Sequence, residues 1–252
     1  MKAEKHNDLG VLYYESGNFE GVEKEFREAI RLAPNYTEAH CNLGILLQNL
    51  KQYDEAEKEY REAIKLNPNL AEAHYNLGNL LTNLKRYDEA EKEYREAINL
   101  NPEVSDVWSG RGNVLEELGR YKEAFECYNK ATDINPDNAS AWNNKGVLLE
   151  TFGRRYNEGI KCFDEAIRAD PNNVMAWCNK GEALKQLKRY EEAIECINKA
   201  LNIDPNLAEA WYVKGLIFKA LKGLDEAMQY FDEAIKLNPK FGKGRLHPKF
   251  NR

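Results

Sequence analysis

Several things are scarce in this sequence, and each scarcity narrows what the chain is. No run of eighteen apolar residues occurs in its 252 positions, so no segment is predicted to span a membrane as a helix. The opening stretch, Met1 to His6, is without the apolar core of a secretory signal, and a cytoplasmic location is expected. Cysteine is limited to Cys41, Cys127, Cys162, Cys178 and Cys196, an odd set with no CxxC pair, which reads as reduced thiols rather than a disulfide framework. Basic residues, 36 against 42 acids for a net charge of −6, are too few to suggest attraction to a phosphate backbone, so no nucleic-acid partner is expected.

Proline and glycine are also sparse, but their placement is ordered. Seven of the eight prolines, Pro34, Pro68, Pro102, Pro136, Pro171, Pro205 and Pro239, stand 34 residues apart, with one interval of 35. Placing proline at position 32 divides the chain into seven units: 3–36, 37–70, 71–104, 105–138, 139–173, 174–207 and 208–241. Position 8 is then glycine in every unit and position 27 is alanine in every unit, so close helix contact is expected at both.

Each unit shows apolar residues at helical spacing twice, as in His74, Leu77, Leu81, Leu84 and again in Ala90, Tyr94, Ala97, Ile98. A polar turn separates the stripes, and Asn101-Pro102 ends the second, because proline lacks an N–H and its ring clashes with the preceding turn. Each unit is therefore predicted to be a helical hairpin.

The pattern Trp142, Gly146, Leu149, Tyr156, Ala166, Pro171, with its equivalents in each unit, resembles the tetratricopeptide repeat family. The resemblance implies an all-α, right-handed superhelical α-solenoid over residues 3–241, with first helices lining a concave groove and second helices forming the outer wall, followed by a basic tail at 242–252. It also implies a non-catalytic adaptor that binds a segment of another protein in that groove. Two alternatives stand beside it: self-assembly through an uncapped terminal repeat, giving a homo-oligomer through the C-terminal end, and a substrate-presenting subunit for an enzyme on another chain.

No residue set points to catalysis, cofactor or metal. His6, His40 and His74 all fall at position 4, where later units carry Trp108, Trp142, Trp177 and Trp211, and are read as replacing a core aromatic. The cysteines recur at helix positions 5 and 23 and are read as small hydrophobes. Gly110-Arg111-Gly112 sits inside a predicted helix and follows no strand, which argues against a phosphate loop.

Units two and three agree at 26 of 34 positions, and three of their eight differences fall at positions 5, 9 and 12, which face the groove in the resembled family. These are Cys41, Ile45 and Gln48 in unit two and Tyr75, Asn79 and Thr82 in unit three. Position 6, also groove-facing in the family, carries Asn42, Asn76, Asn144 and Asn179, whose amides suit a peptide main chain because each can both donate and accept. This ladder is similar to the one lining O-GlcNAc transferases, with Asp8, Gly110 and Val213 interrupting it. Asn113, Asn143, Glu116, Glu150, Glu182 and Tyr212 complete the candidate peptide-binding set. Position 5 has no lysine, and no three consecutive units carry the carboxylate clamp of chaperone-binding family members. Acids including Glu15, Glu116, Glu117 and Glu150 give way to Lys185 and Lys219, so a groove acidic toward its N-terminal side is expected.

Three local expectations follow. Asn35, Asn69 and Asn206 precede Glu38, Glu72 and Glu209 by three residues and are predicted to be caps in capping boxes. The extra residue at Arg154-Arg155 is predicted to lengthen a turn, with Gly159 altering helix packing nearby. The last unit, with Phe231, Ile235 and Leu237, is expected to leave an apolar end that Leu246 and Phe250 fold back over, or that meets another chain.

Overall fold

The structure, a computed structural model, describes residues 2–17 and 19–243, with the side chains of 19, 20 and 243 left aside. Among the described residues fourteen α-helices follow one another, with no strand. They are α1 (Lys2–Glu15), α2 (Phe19–Leu32), α3 (Thr37–Asn49), α4 (Tyr53–Leu66), α5 (Ala71–Asn83), α6 (Tyr87–Leu100), α7 (Ser105–Glu117) and α8 (Tyr121–Ile134). The series continues with α9 (Ala139–Gly153), α10 (Tyr156–Ala169), α11 (Val174–Gln186), α12 (Tyr190–Ile203), α13 (Ala208–Ala220) and α14 (Leu224–Leu237), after which Pro239–Lys243 form a 3-10 turn. The chain packs as two compact units, Met1–Cys127 and Tyr128–Arg252.

Within a repeat the two helices meet at the invariant small residues. A Cβ added to Gly44 would lie 2.6 Å from the Tyr60 ring, and one added to Gly146 would lie 2.5 Å from that of Phe163. Hydrogen thus serves as the side chain wherever a large residue of the second helix crosses the first. The position 27 alanines, among them Ala63, Ala97, Ala166 and Ala200, are fully buried, as the repeat pattern predicts. Around these contacts the first unit buries Phe26, Leu43, Leu47, Tyr60, Leu77, Leu81 and Tyr94, and the second buries Phe163, Cys178, Leu184, Ile197, Val213 and Ile217.

The turn inside each hairpin is set by one left-handed residue. Lys51 (φ 62°), Lys85 (60°), Lys188 (60°) and Lys222 (67°) occupy it, while Gly17 and Gly119 fill it in two other repeats. The Lys51 N–H donates to Gln48 O and the Gln52 N–H donates to Leu47 O, the paired bonds of a Schellman motif that satisfy the last carbonyls of α3. Between repeats, the residue before proline makes the turn: the Asn67 side chain accepts from the Asn69 N–H at 3.1 Å, and Asn101, Asn135, Asp170 and Asp204 repeat the arrangement.

Two expectations are corrected here. Asn35, Asn69 and Asn206 do not cap: the cap residues are Tyr36, Leu70 and Leu207, which make no side-chain cap bond. Leu70 instead packs on Cys41, Ala63 and Ala73, so apolar burial takes that position. Side-chain capping does occur where asparagine stands one residue later in the unit, at Asn138 for α9 and Asn173 for α11. The extra residue of the fifth repeat does not lengthen the turn. It enters α9, which has 15 residues where α3, α5, α7, α11 and α13 have 13, and Arg154 (φ 50°) takes the left-handed place.

Position 4 explains why histidine and tryptophan interchange. Trp108, Trp142, Trp177 and Trp211 each donate Nε1–H to the carbonyl of the proline six residues upstream, at 2.8–3.0 Å. His40 and His74 direct Nε2 to the same carbonyl, of Pro34 at 3.0 Å and Pro68 at 3.2 Å. Their Nδ1 atoms meet Glu59 at 2.6 Å and Glu93 at 2.7 Å. With an acceptor at both nitrogens, the protonated form of each ring can donate to both, which favours it. The glutamate hydrogen bond raises both pKa values, outweighing burial, which acts to lower them.

Charged side chains of second helices and of the turn before α6 bridge repeats: Arg27 reaches Glu55 at 3.0 Å, Arg61 reaches Glu89 at 3.4 Å and Arg86 reaches Glu57 at 2.6 Å. Beyond α14, Phe241 of the 3-10 turn stacks on Tyr212, with ring centroids 4.8 Å apart. Leu246 and Phe250 lie outside the described residues.

Candidate functional site

The candidate residues sit on first helices, at positions 5, 6, 9 and 12, each a turn or less from the next. Their hydrogen bonds show a rule that sequence spacing did not reveal. The Asn42 side chain donates to Asn7 Oδ1 at 2.9 Å, and that of Asn179 donates to Asn143 Oδ1 at 2.9 Å. In both cases the position 6 Nδ2 bonds position 5 of the preceding repeat and ties the two repeats together, while Asn179 Oδ1 is left buried without a partner. Asn144 Oδ1 accepts from Asn143 at 3.3 Å. Asn76 differs because position 5 of the repeat before it is Cys41, a poor acceptor, and Asn76 Nδ2 is left buried without a partner.

Cys41 is 4% exposed and packed on Ala63 and Ala73; burial pushes its thiol up to about 12, so it presents neither surface nor thiolate. The remaining cysteines are likewise free and buried. Ile45 and Tyr75 are half-buried against the core of the first unit, and Tyr75 tilts toward Tyr94 with ring centroids 6.2 Å apart. Asn79 Oδ1 accepts the Tyr94 hydroxyl at 2.6 Å, and Gln48 Oε1 accepts that of Tyr60 at 3.2 Å. Positions 9 and 12 therefore also anchor the buried tyrosine of their own hairpin. Asn113 is half-buried and Glu116 is buried. Tyr212 lies between Phe231 and Phe241, at centroid distances of 5.4 and 4.8 Å.

One acid of the second compact unit is strongly perturbed. Glu150 on α9 is held up to about 9, chiefly by burial, then by the Glu182 carboxylate, with Lys185 acting the other way. Glu182 Oε1 accepts from Lys185 Nζ at 2.6 Å and from Gln186 Nε2 at 2.8 Å. A further part-buried pair was not anticipated from sequence: Arg111 on α7 donates twice to Glu91 Oε1 on α6, at 2.9 and 3.2 Å. Glu91 repeats Glu57 in the preceding unit, so its identity alone gave no sign that an arginine twenty residues on would reach it.

Among the described residues no group of histidine, cysteine and carboxylate side chains is placed to hold a metal ion, and no helix is long and apolar enough to cross a membrane.

Tandem α-hairpins that meet at an invariant glycine and alanine define a helical repeat protein of the protein-interaction class. Profiles described as tetratricopeptide repeat match residues 7–71, 41–105, 139–173, 174–207 and 208–241, and one described as TPR repeat matches residues 112–153. The chain belongs to the tetratricopeptide repeat family. No curated protein matches it in sequence. Among solved structures it is similar to PilF of Pseudomonas aeruginosa, with 20% identity over 81% of this chain and 92% of that one and a TM-score of 0.72. It is similar also to YrrB, described as a TPR protein with an unusual peptide-binding site, with 26% identity over 75% and 97% of the two chains and a TM-score of 0.59. The Cut9–Hcn1 structure shares the fold at 18% identity, over 91% of this chain and 45% of that one, with a TM-score of 0.77.

Proposed function

We propose that this chain is a non-catalytic scaffold that holds a peptide segment of a partner protein against its first-helix faces. One observation carries the reading. The unpartnered buried polar atoms Asn76 Nδ2, Glu150 Oε1, Asn179 Oδ1 and Glu182 Oε2 all belong to positions 6, 9 and 12 of first helices, where folding has left hydrogen-bonding capacity unused. Units two and three agree with it, since they differ at the half-buried first-helix residues Ile45 and Gln48 against Asn79 and Thr82. The peptide-binding site named for YrrB, on a related chain, is consistent with this use of the fold. Panning the full chain against a random-sequence peptide display library tests it. Selected peptides are expected to lose binding to an Ile45→Lys, Tyr75→Lys variant of unchanged helicity or to a variant of the acidic faces of α9 and α11. Peptides unaffected by changes on any first-helix face would overturn the reading.

A second reading, self-assembly through the last repeat, is favoured by α14. Leu224, Met228 and Ile235 are 61%, 63% and 36% exposed, whereas the equivalent Tyr190, Ile194 and Leu201 of the sixth repeat are half-buried or buried. A second copy covering this face predicts a mass that rises with concentration and a monomer for Met228→Glu. Sedimentation showing a monomer at every concentration would sink it.

A further inference from the structure

Three buried acceptors without donors belong to the fifth and sixth repeats. Glu150 lies flat against α10 because residue 159 is glycine: a Cβ there would come within 2.9 Å of Glu150 Cγ and 3.2 Å of its Oε1. The same place is alanine in five other repeats, as Ala56, Ala90, Ala124, Ala193 and Ala227. Glu150 Oε1 is buried there with no partner, and so is Glu182 Oε2, whose companion oxygen is taken by Lys185 and Gln186. One turn earlier on the same face of α11 stands Asn179, 2% exposed. Asn143 uses its own Nδ2 to donate to Asn144, so its Oδ1 is the atom that accepts from Asn179. That fixes the orientation of the Asn179 amide and leaves its Oδ1 as the buried, unpartnered end.

We infer that Glu150, Glu182 and Asn179 form a subsite for an arginine side chain of the bound segment. With Glu150 ionised the three unpartnered groups are all acceptors, and a guanidinium is a planar fork of donors with no acceptor, matched to carboxylate geometry. Once Glu150 gives up its proton, two carboxylates answered by one lysine carry one negative charge for a monocation to balance. Lys185, on a flexible stem and held at one oxygen, swings aside to admit it. An ammonium group fills the site less well, since its donors radiate from a point and do not span two carboxylates and an amide. The charged groups facing Glu150 are Glu182 and Lys185 from α11, and α10 meets it with Gly159. In the empty site Glu150 therefore retains its proton at neutral pH. Entry of a guanidinium sends that proton to solvent and leaves a carboxylate paired with the cation.

This subsite rests on the peptide-binding reading, and one experiment separates the two. The full chain and its Glu150→Gln, Glu182→Gln variant are panned against a random-sequence peptide display library, and selected peptides are resynthesised with arginine, lysine or neutral, isosteric citrulline at the enriched position. Arginine is expected at one position of the peptides selected by the parent. Citrulline should weaken binding about tenfold or more, the loss expected for a charge-assisted hydrogen-bonded pair. The double variant should bind the arginine and citrulline peptides alike. Calorimetry at neutral pH in two buffers of different ionisation heat should show proton release with the arginine peptide only. Gly159→Ala, which alters no charge, should reproduce the loss by crowding Glu150, and it decides the matter should the double variant not fold. Peptides that bind with no arginine preference, equally well to all variants, would overturn the subsite and leave the peptide-binding reading standing. A library that yields no binder overturns both.

Discussion

Substituting alanine for the position 8 glycines pits two known effects against each other, and the structure says which wins at each site. In Gly146→Ala the new methyl would lie 2.5 Å from Phe163 Cε1 and 2.9 Å from two further ring carbons. Carbon atoms are at rest about 3.5–4.0 Å apart, so the ring must retreat by about 1 Å, and Phe163, fully buried, has nowhere to go. Alanine gains about 0.8–1.0 kcal/mol of helix propensity over glycine, whereas overpacking a tight core costs about 1–3 kcal/mol. The expected net effect is a loss of roughly 1–2 kcal/mol. At Gly78 the nearest ring atoms of Tyr94 would be 3.1 Å away, a gap that a few tenths of an ångström of movement relieves, and the two effects should nearly cancel. Gly44→Ala, at 2.6 Å from Tyr60, should resemble Gly146→Ala. Urea unfolding followed by far-UV circular dichroism measures this as a shift of midpoint at constant slope. If Gly146→Ala were as stable as the parent, or Gly78→Ala were the worse of the pair, the packing argument for this glycine would be wrong.

Stability should fall with rising pH because of His40 and His74. Their folded pKa values are raised, so the stabilisation is complete below the unfolded value near 6.5 and is lost as pH climbs through the folded one. His40→Trp with His74→Trp, which keeps the N–H for the proline carbonyl and removes the charge, should flatten the dependence of Tm on pH above 6; an unchanged slope would refute the assignment. Replacing Lys51, Lys85, Lys188 and Lys222 by glycine should stabilise, since a left-handed non-glycine residue costs roughly 1–2 kcal/mol and glycine's added unfolded-state freedom returns only part of that. Roughly 0.5–1 kcal/mol per site is expected, read from urea midpoints, and any loss of stability would count against it. The five thiols should resist a disulfide reagent in the native protein and all react once it is unfolded, because burial pushes Cys127, Cys162 and Cys196 up to about 11 and Cys178 higher still. Rapid native labelling would show that the burial is wrong.

The hairpins were readable from sequence because what specifies them is local or strictly periodic. Proline ends each second helix, glycine and alanine mark the crossings, and six first helices begin at Thr37, Ala71, Ser105, Ala139, Val174 and Ala208, where the proline count starts its units. What failed depended on competition that spacing does not express. Asn69 has the right chemistry and the right glutamate for a cap, yet Leu70 sits at the cap because burying it against Cys41 and Ala73 outweighs a side-chain bond. The added residue near Arg154 could join helix or turn with equal sense in one dimension. The asparagines were recognised as a set, but their partners lie 35 and 36 residues back, and only packing shows that the Nδ2 groups of Asn42 and Asn179 are engaged while that of Asn76 is not. Gly159 stood out as a departure from alanine, whereas the carboxylate it accommodates is visible only in three dimensions.

The bond from position 6 to position 5 of the preceding repeat has an evolutionary consequence. Asn42 and Asn76 are the same residue in nearly the same sequence, and what separates them is whether Asn7 or Cys41 stands upstream. Whether a position 6 amide is engaged is thus written at the junctions between repeats and not inside them. Duplicating, deleting or reordering units would switch an unaltered asparagine between mortar and unpartnered donor, so that such an array changes the chemistry of a first helix through its neighbours before any residue of that helix mutates.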